Sequence, residues 1–100
     1  TCALPICSMA LLSQTEIQTE LNSLDGWTYS DSVIHKMITF DSYIDGIQFI
    51  NQLAKKAEET NHHPDLTVGW CKVGVTFTSH DQGGVTDQCI VMAKAVDSLL

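Results

Sequence analysis

The feature that most constrains this chain is a long helical stretch whose end is marked in the sequence. Ile44, Ile47, Ile50, Leu53, Ala54 and Ala57 recur at helical spacing, so the segment carries one apolar stripe. Asp41 or Ser42 stands where a helix cap belongs, and Asn61 and Pro64 close the run, because the residue before a proline is pushed out of the helical region. Gly46 lies inside the stretch, where glycine costs about 1 kcal/mol relative to alanine, which points to close packing there.

Each side of this helix holds a pair of strand-like runs. Before it, Trp27–Ser30 reads as a short strand, and Val33–Phe40 carries Ile34, Ile38 and Phe40 at even spacing, as a half-buried strand does. After it, Leu66–Trp70 and Lys72–Ser79 form a second pair, with Val73, Val75 and Phe77 on one face. A helix opens the series: Ser13 and Glu16 have capping-box spacing, Ile17, Leu21 and Leu24 follow at helical intervals, and Asp25-Gly26 stops it. Another closes it after the Gly83-Gly84 turn, with Thr86 as cap and Ile90, Ala93, Val96 and Leu100 facing inward. The order α-β-β-α-β-β-α predicts an α+β domain, an antiparallel sheet with helices on one face. An uncovered sheet face or edge would remain, and self-association is a natural way to cover it.

One hundred residues with 44% hydrophobic content are enough for one domain with a real core. Residues 1–8 are expected to be a poorly ordered leader and 9–100 the domain; the leader is too short, and lacks the basic start, for a signal peptide. The net charge is -7 and all five basic residues are lysines. Without arginine or a cationic cluster, direct nucleic-acid binding is not expected. No apolar run approaches the ~20 residues of a membrane span. Cys2, Cys7, Cys71 and Cys89 match neither a zinc ribbon nor a disulfide scaffold, so they are read as idle thiols of a reducing, cytoplasmic setting.

The densest polar signal is Glu58, Glu59, Asn61, His62, His63, Pro64 and Asp65, where the long helix hands over to a strand. A second cluster, Thr78, Ser79, His80 and Asp81, ends the last strand. A fold that brings those two ends together would build one pocket. Histidine, with an unperturbed pKa of about 6.5, both gives and takes protons near neutrality; histidines at a helix end are also common surface residues favoured by the dipole. Three histidines raise a zinc-hydrolase reading, but neighbours such as His62 and His63 rarely turn two ring nitrogens towards one ion, so no metal is expected.

Glu58, His62-His63-Pro64, Trp70, His80, Gly84 and Thr86, at the spacing they have here, resemble the signature of the pterin-4a-carbinolamine dehydratases. The likeness extends from about Leu12 to Leu100, through Leu24-Asp25-Gly26-Trp27, the apolar or aromatic Ile38, Phe40, Tyr43 and Phe49, and Ala57-Glu58. The resemblance implies a four-stranded antiparallel sheet with three helices on one side, assembled as a homodimer or homotetramer. It implies dehydration of a 4a-hydroxytetrahydropterin to the quinonoid dihydropterin, recycling a tetrahydrobiopterin-type cofactor, with the pterin as substrate and no resident cofactor. By similarity His62 is the first choice for proton transfer near the departing hydroxyl, with acid, base and positioning roles shared by His63 and His80. Glu58 would orient a histidine or contact the pterin, and Asn61, Pro64, Thr78 and Ser79 would complete its binding site. The alternative is a non-catalytic module of the same fold, a transcriptional cofactor or an assembly factor. Cys89 departs from the pattern, since relatives often place an aspartate there; Asp87 would supply only its dipole contribution, and the position is read as structural. Trp70, where relatives also use tyrosine, is read as a packing anchor.

Overall fold

The computed structural model describes residues 10–100; the expected leader over 1–8, with Cys2 and Cys7, lies outside the described residues. The first helix, α1 (Gln14–Leu21), starts as its sequence requires. Ser13 Oγ accepts the Glu16 N–H at 3.1 Å, and Glu16 Oε1 accepts the Ser13 N–H at 2.8 Å, so two orphan donors of the first turn are satisfied reciprocally. Strands β1 (Thr28–Ser30) and β2 (Val33–Thr39) follow. They are joined through Asp31 and Ser32, both at positive φ (52° and 68°), the backbone that a tight hairpin turn demands of its two central residues.

Helix α2 (Tyr43–Thr60) is capped by Ser42, whose hydroxyl accepts the Asp45 N–H at 3.1 Å. Its buried face is Gly46, Phe49, Leu53 and Ala57. This differs in phase from the expected stripe: Leu53 and Ala57 are common to both, Ile47 and Ile50 are half-buried, and Ile44 and Ala54 face outward. Gly46 lies on that face against Phe40 and Val73, whose Cδ2 and Cγ2 a Cβ there would meet at 3.4 Å each. The helix ends at Asn61, in the left-handed region at φ 53° with its N–H bonded to Ala57 O, a conformation asparagine tolerates better than most residues.

Strands β3 (Asp65–Val68) and β4 (Lys72–Phe77) complete an antiparallel sheet of order β1-β2-β4-β3. Ile34 and Ile38 on β2 and Val73, Val75 and Phe77 on β4 are buried on one face, as period-two alternation requires. The closing helix, α3 (Asp87–Ser98), buries Cys89, Ile90, Met92, Ala93 and Val96. The α+β order and the three helices on one face are as expected. Three local readings are corrected. Leu100 is exposed, because it lies beyond the end of α3. Trp70 is 80% exposed, because it sits in the β3–β4 turn and not in a strand, so it anchors no packing. Thr86 occupies the N-cap position of α3 without capping it: its buried hydroxyl is instead 2.8 Å from Ser79 Oγ. No helix among the described residues is long and apolar enough to cross a membrane.

Candidate active site

The end of α2 and the end of β4 meet, and the three histidines of the two polar clusters gather there. Beyond Asn61, Pro64 keeps the preceding His63 out of the helical region. His62 is buried and His63 exposed. His62 is only 8% exposed; its ring stacks on Phe77, with centroids 5.9 Å apart and planes 14° from parallel. His62 Nε2 lies 3.4 Å from Cys89 Sγ on α3. His63 Nε2 is paired with Glu58 Oε2 one turn back on α2. His80, past the end of β4, places Nε2 4.0 Å from Asp65 Oδ2 at the start of β3.

Asn61, His62 and His63 form one wall of a cleft of about 220 Å³, and Thr78, Ser79, His80 and Asp81 form the other. Of the expected site residues, Glu58 and Pro64 are not on the walls: Glu58 orients His63, and Pro64 shapes the turn. The Thr78 hydroxyl donates to Ser32 O at 2.8 Å, tying the cleft to the β1–β2 turn and leaving it only acceptor capacity. Ser79 is buried and its hydroxyl is engaged with Thr86. Asp65 and Asp81 belong to the two polar clusters without an assigned role; Asp81 lines the cleft and Asp65 pairs with His80. Cys89, a departure from the family pattern with an expected structural role, touches His62.

Burial holds the His62 imidazole below its ordinary pKa of 6.5, and the neighbouring His63 and His80 push in the same direction. His62 is thus a neutral ring near pH 7, able to accept a proton. The three rings turn to three different partners, and among the described residues no three His, Cys, Asp or Glu side chains gather as a metal set. A larger cavity of about 480 Å³ lies elsewhere, between the end of β2, the first half of α2 and the chain's last residues. It contains no histidine. Its size exceeds that of the cleft, but convergent titratable groups, not volume, mark a site of proton transfer.

Fold and cleft together define a small α+β domain with a histidine-lined cleft between a helix end and a strand end. The family model for pterin 4 alpha carbinolamine dehydratase matches residues 10–99. The chain belongs to the pterin-4-alpha-carbinolamine dehydratase family. A relative from Mycobacteroides abscessus, named provisionally as such a dehydratase, is 36% identical over 90 residues, covering 90% of this chain and 96% of its own. Another from Nostoc punctiforme, named in the same way, is 39% identical over 89 residues, 89% of this chain and 96% of that one. Among solved structures, a transcriptional coactivator/pterin dehydratase from Brucella melitensis superposes with a TM-score of 0.87 at 30% identity, covering 90% of this chain and 98% of that one. A pterin dehydratase-like protein identified as a RuBisCO assembly factor of the alpha-carboxysome gives 0.60 at 27% identity, covering 73% and 84%.

Proposed function

We propose that the chain dehydrates a 4a-hydroxytetrahydropterin to the quinonoid dihydropterin by histidine acid–base catalysis. The observation that carries this is the convergence of His62, His63 and His80 on one cleft. In the reaction the C4a–O bond breaks and its electron pair leaves with the oxygen, which takes up a proton and departs as water. A ring N–H gives up its proton, and the N–H electron pair moves in to form the new C=N bond. Nothing is oxidised or reduced, so an acid and a base suffice and no resident cofactor or metal is required.

The family resemblance implies His62 beside the departing hydroxyl. Its neutral state fits it better to taking the ring N–H proton, leaving His80 or the Glu58-oriented His63 to protonate the hydroxyl. Asn61 and Thr78 line the cleft, which supports contacts from Asn61 and the backbone around Thr78 to the pterin's polar edge. The same reading puts the protein in the cytoplasm as a homodimer or homotetramer. The outer edge of β3 and the exposed Val68 and Trp70 beside it support such self-association.

The test is a stopped-flow assay with chemically generated 4a-hydroxytetrahydropterin, comparing the unaltered protein with His62→Ala and His80→Ala. The unaltered protein is expected to accelerate dehydration over the spontaneous rate, with each variant losing about 10²-fold or more, the usual contribution of a positioned acid or base. No acceleration would favour the second reading, a binding or assembly module, for which the exposed Trp70 turn is the observation. Loss of acceleration on adding a chelator would overturn the metal-free chemistry.

A further inference from the structure

Behind His62 lies a buried polar cluster that the proposed chemistry does not use directly. Cys89 is fully buried on α3, as is Thr86 at its start, and Ser79 is 4% exposed. Ser79 Oγ is 2.8 Å from Thr86 Oγ1 and 3.6 Å from Cys89 Sγ, while Thr86 Oγ1 is 3.8 Å from the same sulfur. The two hydroxyls and the thiol close a ring in which each X–H group has a neighbour to donate to. One sulfur lone pair is left over, and His62 Nε2 stands 3.4 Å from it.

We propose that Cys89, backed by Ser79 and Thr86, is a positioning residue for His62: it takes the Nε2–H, fixes the ring on Phe77, and leaves the Nδ1 lone pair to the cleft. Nδ1 has no hydrogen bond among the described residues, and no buried side-chain nitrogen or oxygen there lacks a partner, so Nδ1 is open to the cleft. A proton gained or lost at Nδ1 then leaves the Nε2–H···Sγ contact unchanged, and the buried ring need not rearrange during turnover. The anchor is also neutral. The charged or titratable groups around His62 are Glu58 from α2, His63 beyond it, Asp65 from β3, and His80 and Asp81 beyond β4. The carboxylates of Glu58 and Asp65 turn to His63 and His80, so the partner at Nε2 is a thiol instead of a carboxylate. An anchor without charge does not hold a proton on the ring, which suits a base that must return to neutrality after each cycle. That consequence rests on the dehydratase reading; the Cys89–His62 coupling does not.

Imidazole NMR titration of the full chain, with stopped-flow dehydration on the same samples, tests this in the unaltered protein and in Cys89→Asp, Cys89→Ala and Cys89→Ser. The neutral form of His62 is expected to carry its proton on Nε2; a proton on Nδ1 would overturn the assignment. In Cys89→Asp the His62 midpoint is expected to rise by about one pH unit or more, carrying the acidic limb of the rate profile to higher pH with it. An unmoved midpoint would overturn the proposal. Cys89→Ala is expected to lose about 10-fold in kcat with little change in KM, since a slackened ring misplaces the proton acceptor, and Cys89→Ser is expected to restore most of that loss. Equal activity of the alanine and serine variants, both folded by thermal melt, would overturn it, and this pair decides if the aspartate variant does not fold. If the unaltered protein shows no dehydration, the functional reading fails, while the His62 midpoint still decides the coupling.

Discussion

Phe77 joins the core to the cleft, so replacing it with leucine perturbs both. Its side chain is fully buried. Its ring stands 6.1 Å from Trp27, tilted by 33°, and 5.9 Å from His62, stacked at 14°. An aromatic pair contributes about 0.5–1.5 kcal/mol beyond the area it buries. Two lost pairs therefore amount to about 1–3 kcal/mol, and leucine fills most, though not all, of the volume left behind. Against a typical domain stability of about 5–15 kcal/mol, this is large but survivable. Urea unfolding of the unaltered chain and Phe77→Leu at one fixed protein concentration measures it, because any self-association adds a concentration-dependent contribution. The expected result is a lower midpoint with an unchanged m value, and a melting temperature lower by roughly 4–8 °C for each kcal/mol. A destabilisation below about 0.5 kcal/mol, the range of ordinary surface substitutions, would show that neither ring pair contributes and that Phe77 is not the floor under His62.

On the open face of the sheet, a Cβ at Gly74 would overlap Thr67 Oγ1. Gly74→Ala should therefore cost about 1–3 kcal/mol in chemical denaturation, and the double variant with Thr67→Ala should recover most of it. Ser13→Ala removes the hydroxyl half of the α1 capping box and should cost about 1 kcal/mol, read as a lower melting temperature. For His62 the pKa is lowered by folding, so just below pH 6.5 the unfolded chain binds more protons than the native one. Stability should then fall as pH drops through 6.5 towards the depressed native value, and level off below it. In urea melts across this range, His62→Gln should flatten that slope; an unchanged slope would mean that His62 is not the group responsible.

What could be read in the sequence was mostly local. The Ser13–Glu16 box, the Ser42 cap, the stop at Asn61 and the alternation on β4 each depend on residues a few positions apart, and each appears as expected. The phase of α2 was harder, because apolar residues lie on more than one of its sides. Its buried face includes Gly46, which packs against Phe40 and Val73 and has no apolar side chain to count. Thr86 failed as a cap for a different reason: its hydroxyl had a competing partner, Ser79, on another element. In a buried setting an unpaired hydroxyl is costly, so the contact between α3 and the end of β4 prevails over the local rule.

The same distinction separates the two halves of the cleft. The His-His-Pro segment and His80 were legible as chemistry because their residue types have few other uses together. Glu58 was legible as a carboxylate that orients a histidine, but the partners of the other two rings were not, since they come from different elements: Asp65 from the start of β3, and Cys89 from α3. A departure from the family pattern at Cys89 was visible, but its meaning depended on where the side chain points, which only the packing of α3 against β4 determines. His62 alone of the three rings is inward, stacked and thiol-anchored, and its lowered pKa follows from that burial. If the thiol contact were incidental, the ring would still be buried on Phe77, and Cys89→Ser and Cys89→Ala would behave alike. If it positions the ring, the two variants must differ, because serine retains a polar partner for Nε2 and alanine does not.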